Sequence, residues 1–290
     1  MSAVGTAVIL AGGLGTRMLP ASKAIPKEML PLADRPILQY AVEEAAASRV
    51  DHVVIVISEG KETVREHFTE PAPTTETLRA QGRTEFAETS AAPSQLATVE
   101  FAYQLEPKGI AHALQQAQPL VRGEAMAVVY PDDVIFGKAP VIGQLAAAYE
   151  RRPGTILAVE DVPDSEVSSY GIVDPAGEGD PIPVRAVVEK PSPEEAPSRL
   201  GIVGRLIVPV SIFEHIAQLT PGKGGELQLT DAVARQLSAG EPVSAVRFTG
   251  ARYDTGRPPG YIAANVAAAM QRPDLADSTR ALVQQALEQD

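Results

Sequence analysis

The run Val4-Gly5-Thr6-Ala7-Val8-Ile9-Leu10 passes directly into Ala11-Gly12-Gly13-Leu14-Gly15-Thr16-Arg17, and this junction decides the fold. A short, continuous apolar run reads as a strand buried on both faces, as in parallel sheets covered by helices. Glycines after such a strand let backbone N–H groups approach an anion at its carboxyl end, where open α/β sheets hold their ligands. Two familiar phosphate loops fail on spacing. A dinucleotide fingerprint starting at Gly13-x-Gly15 needs Gly or Ala three residues on, and Met18 stands there. A P-loop ends in Gly-Lys-Ser/Thr, which Gly15-Thr16-Arg17 does not supply. The glycines alone leave open a tight strand-to-helix turn with no ligand.

The next residues favour a ligand. Arg17, Lys23 and Lys27 fall in one segment punctuated by Pro20, Pro26 and Pro31. Prolines at this spacing prevent a regular helix, so the cations sit on a stiff loop beside the glycines. The whole chain has a net charge of −12 and a pI near 4.9, which argues against a nucleic-acid binder. A local cationic patch in so acidic a chain suits a triphosphate, which needs backbone donors, a forked guanidinium and point-charge ammonium groups.

Outward from the loop, apolar strands alternate with helices. Residues 36–48 have helical periodicity, with Pro36 suited to the first turn, and 53–57 form a second buried strand. A short helix is expected over 61–68, and a variable, partly mobile surface excursion over 70–97. Strands at 99–103, 125–129 and 155–159 alternate with helices at 110–120 and 141–150. The second half is mixed. It has strands at 171–173, 184–189, 202–208 and 243–248, and helices at 211–218, 229–238, 259–270 and 278–288. The expected fold is α/β: a single Rossmann-like three-layer domain over 1–290 with a mixed, mainly parallel central sheet and a smaller β-region.

With 290 residues, 44% of them hydrophobic, the chain buries a sizeable core. It has no cysteine, which excludes disulfides, thiolate catalysis and Cys-type zinc sites and fits a cytoplasmic enzyme. The apolar run at 7–10 is too short for a membrane span and follows no basic n-region, so no membrane partner is expected.

The motifs Gly13-Leu14-Gly15-Thr16-Arg17-Met18-Leu19-Pro20 and Pro26-Lys27-Glu28-Met29-Leu30-Pro31 resemble the signature of the sugar-phosphate nucleotidyltransferases. Within them the chain is most similar to the bacterial uridylyltransferases that use UTP and glucose 1-phosphate. Glu28 and the segment Gly225-Glu226-Leu227-Gln228-Leu229-Thr230-Asp231, with Gly204-Arg205, point to that branch rather than to thymidylyltransferases. The resemblance runs through nearly the whole chain and is weakest at 70–97. It implies a nucleotide-binding half over about 1–135 and a sugar-binding and oligomerisation half over about 136–290, in a homodimer or homotetramer.

It also implies roles. Arg17 and Lys27 grip the triphosphate, with Ala11, Gly12, Gly13, Gly15, Thr16 and Glu28 in the nucleotide loop. Gln104 and the backbone of Gly109 read the pyrimidine; His112 is expected to be a packing or helix-surface residue. Asp132, at the mouth of a strand, and Asp254, in Asp254-Thr255-Gly256, hold Mg²⁺. Asp133 either supports that site or caps the following turn. Glu189 and the backbone of Gly171 meet the sugar, and Lys190 holds its 1-phosphate. Taken alone, a Glu-Lys pair at a strand end is more often a surface ion pair, so this role depends on the resemblance. The family often has a Lys shortly after Asp-x-Gly, whereas this chain has Arg257-Pro258-Pro259, which leaves one sugar or phosphate contact and the identity of the hexose open. The implied chemistry is in-line displacement on the α-phosphorus. A silent paralogue that only binds nucleotide-sugar is disfavoured, because every implied catalytic position is filled.

Overall fold

The computed structural model describes residues 3–69, 73–222 and 225–288. The first half runs β1 (Val4–Leu10), β2 (Pro31–Leu32), β3 (Arg35–Pro36), α1 (Ile37–Ala47), β4 (His52–Ile57), α2 (Glu62–Phe68), α3 (Pro73–Ala80), α4 (Thr84–Ala91), β5 (Thr98–Tyr103), α5 (Ile110–Ala117) and β6 (Ala125–Val129). The second half runs β7 (Asp133–Phe136), α6 (Val141–Arg151), β8 (Thr155–Asp161), β9 (Gly171–Pro175), β10 (Ile182–Glu189), β11 (Leu200–Pro209), α7 (Ile212–Ile216), α8 (Leu229–Ser238), β12 (Val243–Arg247), β13 (Ala251–Asp254), α9 (Pro258–Met270) and α10 (Ala276–Leu287).

Nine strands form one mixed sheet in the order β5-β4-β1-β6-β11-β8-β12-β10-β9. The block β5-β4-β1-β6 is wholly parallel, and β11 and β10 run against it. Alternation along the strands sends side chains to two helical layers. Ala7 and Ile9 of β1, with Val53 and Ile55 of β4, pack with Leu38 of α1, Val64 of α2 and Leu145 of α6. Val8 and Val54 point the other way, toward Leu114 of α5, Phe213 of α7 and Leu229 of α8. The β1 side chains Val8 and Ile9 are fully buried, each contributing about 1.5–3 kcal/mol of transfer free energy. This explains why β1 reads as an unbroken apolar run.

The far side of the sheet closes on itself. The first part of β11 pairs with β9 through Gly201 and Ile172, while its later residues pair with β6. Strands β11, β8, β12, β10 and β9 therefore form a ring, which carries the ends of β9 and β10 back over the carboxyl ends of β1 and β6.

The structure adds detail in three places. The surface excursion over 73–97 is largely helical: α3, α4 and a 3₁₀ turn fill most of the segment. They bury only small side chains such as Thr75, Ala87 and Ala91, so their hydrophobic periodicity is faint. Residues 70–72 lie outside the described residues. Pro36 is the N-cap of α1 rather than a residue of its first turn. Strands β7 and β13, unforeseen in the sequence, form a separate antiparallel ribbon that pairs Asp254 with Asp133.

A buried ion pair fastens the layers together. Arg205 of β11, only 2% exposed, donates through Nε and Nη2 to Glu44 of α1 at 3.0 and 2.8 Å. Its Nη1 donates to the carbonyl of Tyr130 at 2.9 Å, and the other Glu44 oxygen accepts the Ile142 N–H at the start of α6. Among the described residues, no helix is long and apolar enough to cross a membrane. Removing one member of such a pair strands the other charge in a dry site. Arg205→Ala is expected to cost about 3–5 kcal/mol in urea unfolding, and Arg205→Met combined with Glu44→Leu markedly less. A cost below about 1 kcal/mol for Arg205→Ala would show that the pair is not the fastening it looks to be.

Candidate active site

Beyond β1 the chain crosses the carboxyl ends of the parallel strands. Gly15, at φ 68°, starts a 3₁₀ turn, Thr16–Met18, and two more follow at Ala21–Lys23 and Lys27–Met29. The prolines confine each to a single turn. The last turn aims Lys27 across the cleft, where its Nζ donates to Asp132 Oδ2 at 2.5 Å. Burial works against charge on both groups, but mutual attraction outweighs it. The Lys27 ammonium is raised and the Asp132 carboxyl lowered from their ordinary values, so both stay ionised at neutral pH.

Beneath the glycine loop lies a residue without any sequence signal. Lys61, just before α2 and 7% exposed, donates to the carbonyls of Ala11 at 2.5 Å and Gly13 at 2.7 Å, and to Glu28 Oε2 at 3.0 Å. Glu28 is 1% exposed, so its carboxylate meets Lys61 under the loop. Burial dominates both, raising the Glu28 carboxyl and lowering the Lys61 ammonium.

The β7–β13 ribbon brings Asp254 beside Asp132. Thr255 reinforces this, with its N–H and hydroxyl both donating to the Asp132 carbonyl at 2.8 and 2.9 Å. A Cβ on Gly256 would lie 3.0 Å from Asp132 Oδ2, 3.0 Å from Asp254 Oδ1 and 2.9 Å from Arg17 Nη2. The missing side chain leaves a cradle between two carboxylates and a guanidinium. Hard carboxylate oxygens in that arrangement suit Mg²⁺, which is commonly held by one or two carboxylates with water and substrate phosphates supplying the rest. Among the described residues there is no ready-made cage of three or more metal-binding side chains. Asp133 turns away: its Oδ1 accepts from Arg252 and its Oδ2 from the Gly204 N–H.

On the side formed by the closed strands, Glu189 ends β10. Its Oε2 accepts from Thr230 Oγ1 at 2.7 Å, and its Oε1 lies 3.2 Å from Lys190 Nζ. Lys190 holds φ 45°, a left-handed conformation uncommon for a side-chain-bearing residue, with its N–H on the Tyr170 carbonyl. Gly171 faces Glu189 across the strand pair. Arg252 of β13 braces this wall by donating to Glu160, Asp133 and the Tyr170 hydroxyl at 2.6, 2.5 and 2.6 Å.

At the opposite end, Gln104 Nε2 donates to the Gly109 carbonyl at 3.1 Å and lies 3.1 Å from His112 Nδ1. A carbonyl only accepts, so the amide nitrogen must face Gly109, which leaves Gln104 Oε1 on the Gly12 side. Gly109 adopts φ 103°, and a Cβ there would strike the Leu227 backbone at 2.6 Å. Only glycine lets the 226–228 segment dock so closely.

One cleft of about 980 Å³ gathers these groups. It is lined by Gly12, Gly13, Arg17, Lys27, Glu28, Gln104, Gly109, Asp132, Gly171, Glu189, Lys190 and Asp254. Ala11, Gly15 and Thr16 stand outside it: Ala11 is buried behind the loop, and Gly15 shapes the turn. Arg257 lines the cleft, with its Nε 3.8 Å from Asp254 Oδ2. Arg252 and Thr230 line it too, although no motif in the sequence singles them out as site residues.

Comparison with known proteins follows the same lines. The family model for nucleotidyl transferases matches residues 6–271. A UTP–glucose-1-phosphate uridylyltransferase of Bacillus subtilis is 40% identical over 278 residues, covering 96% of this chain and 95% of the relative. One from Staphylococcus epidermidis is 36% identical over 286 residues, covering 98% and 99%. UTP-bound UGPase from Acinetobacter baumannii superposes with a TM-score of 0.88 at 31% identity, covering 97% of this chain and 99% of that one. A UDP-glucose pyrophosphorylase complexed with UDP-glucose gives 0.82 at 33%, covering 93% and 100%. Matched by this family model and by such relatives over nearly its whole length, the chain belongs to the nucleotidyl transferase family, among its UTP–glucose-1-phosphate uridylyltransferases.

Proposed function

We propose that this protein transfers the uridylyl group of UTP to glucose 1-phosphate, giving UDP-glucose and pyrophosphate, with the residues named above in the roles that follow. The observation that carries these roles is that a single cleft joins three groups: the loop cations, the Asp132–Asp254 pair, and the Glu189–Lys190 strand end. The first suits a triphosphate, the second a divalent cation, and the third a sugar phosphate.

An oxygen of the sugar 1-phosphate attacks the α-phosphorus of UTP, and the bond from that phosphorus to the oxygen bridging toward the β-phosphorus breaks. No general base is needed, because a phosphate monoester with a second pKa near 6 is largely dianionic at neutral pH. The barrier is the approach of anions, and fixed cations lower it by orientation and charge stabilisation. Lys190 holds the attacking phosphate. Its left-handed backbone is the kind of strain that persists where the surroundings over-determine a position. Arg17 and Lys27 neutralise the transferring and leaving phosphates. Asp132 and Asp254 would hold Mg²⁺, whose chemistry when bound is to polarise phosphoryl oxygens and stabilise the leaving group. Glu189 accepts from sugar hydroxyls, and Thr230 fixes its orientation.

Gln104 supports a uracil-type base. With its nitrogen committed to Gly109, it offers an acceptor oxygen, complementary to the N3–H of uracil and not to the N3 lone pair of cytosine. The nucleotide half is about 1–135 and the sugar half about 136–290 of one domain. A homodimer or homotetramer fits the exposed Ile262, Leu282 and Leu287 on α9 and α10. A cytoplasmic location, where UTP is made, goes with this activity.

Pyrophosphate release tests the function. UTP with glucose 1-phosphate and Mg²⁺ is expected to support turnover well above CTP, with epimeric hexose 1-phosphates included because Arg257-Pro258 departs from the family pattern of an acidic or amide residue followed by Lys. No release with any sugar phosphate would leave only a binding protein. Asp132→Asn and Asp254→Asn should each lose most Mg²⁺-dependent turnover while keeping a native circular dichroism spectrum. Undiminished turnover in either variant would remove that carboxylate from the metal. Lys190→Ala should lower efficiency roughly 10- to 100-fold through the glucose 1-phosphate side, and Arg17→Ala through the UTP side. Equal effects of Lys190→Ala on both substrates, or none on either, would return it to the status of an ion-pair partner of Glu189.

A further inference from the structure

We infer that Lys61, which does not line the cleft, is a positioning residue that sets the polarity of the glycine loop for UTP. The inference rests on the reading that this loop takes the triphosphate. An ammonium has three donors, and those of Lys61 go to Ala11 O, Gly13 O and Glu28 Oε2 at 2.5, 2.7 and 3.0 Å. None remains for a phosphate, so Lys61 acts through the backbone.

The consequence follows from peptide geometry. In a trans peptide, C=O and N–H point in opposite directions. Drawing the carbonyls of Ala11 and Gly13 toward Lys61 turns the N–H groups of Gly12 and Leu14 the other way. Gly12 and Leu14 both line the cleft, whereas Lys61 lies behind it. One buried cation therefore directs two peptides of a glycine-rich segment so that donors, and not carbonyl oxygens, face an incoming anion. Its third bond joins the loop to Glu28, and the next residue back is Lys27, which meets Asp132. The backbone donors and the loop cation are thereby held in one frame.

The test uses four proteins: wild type, Glu28→Gln, Lys61→Met, and the double variant. Glu28→Gln retains both carbonyl bonds and serves as the reference. The double variant removes the lysine without leaving a buried carboxylate unpaired. KM is measured for UTP and for glucose 1-phosphate, with calorimetric titration of UTP and thermal melting alongside. Adding Lys61→Met to either background should raise the UTP KM on the order of 10-fold or more and leave the glucose 1-phosphate KM within about 3-fold. A purely structural lysine would lower the melting temperature and leave the UTP KM of the folded enzyme unchanged. An unchanged UTP KM, equal rises for both substrates, or failure of both Lys61 variants to fold would each overturn the inference. Turnover of UTP by the wild type in the same assay separates these outcomes from failure of the underlying reading.

Discussion

The contact between Lys27 and Asp132, 2.5 Å across the cleft, is the constraint around which the rest is arranged. A chain of net charge −12 repels polyanions at long range, so any cation that receives one must be concentrated and aimed. A lysine on a free loop would be neither. Here the prolines stiffen its segment, and Asp132 holds its ammonium at the mouth of β6. The pair fixes where the ammonium stands at the cleft.

The fold answers two further problems of distance. Asp254 is far from Asp132 in the chain, and only the small β7–β13 ribbon, with Thr255 bonded to the Asp132 carbonyl, makes them neighbours. Glu189 and Lys190 lie at the end of β10, which sheet order alone would place far from β1. Pairing of β11 with β9 bends that edge back over the cleft. Arg252 then links the two solutions, since it starts in the ribbon and bonds both Asp133 and Tyr170.

How much of this is legible in the sequence depends on what each element is made of. β1, β4 and β6 are buried on both faces, so their unbroken apolar runs declare them. The glycine and proline spacing from Gly13 to Pro31 declares the loop, because backbone conformation dictates those residues directly. The ribbon is silent: its strands have four residues each, broken by Asp and Arg. The helices at 73–91 are silent because they bury little beyond Ala and Thr. Lys61 is silent for a different reason. Its partners are carbonyls and a carboxylate at positions 11, 13 and 28, and no local spacing encodes a contact that only the sheet creates. Glu28, read from the loop motif as a nucleotide residue, lines the cleft and is also the partner of that lysine.

The arrangement makes one chemical commitment above others, that the sugar phosphate attacks UTP directly, with no residue of the chain becoming nucleotidylated on the way. The stereochemistry at the α-phosphorus tests this most directly. Turnover of a single diastereomer of the α-phosphorothioate analogue of UTP with glucose 1-phosphate, followed by ³¹P NMR assignment of the product, should show inversion of configuration. Retention would require two displacements through a covalent intermediate and would contradict the account.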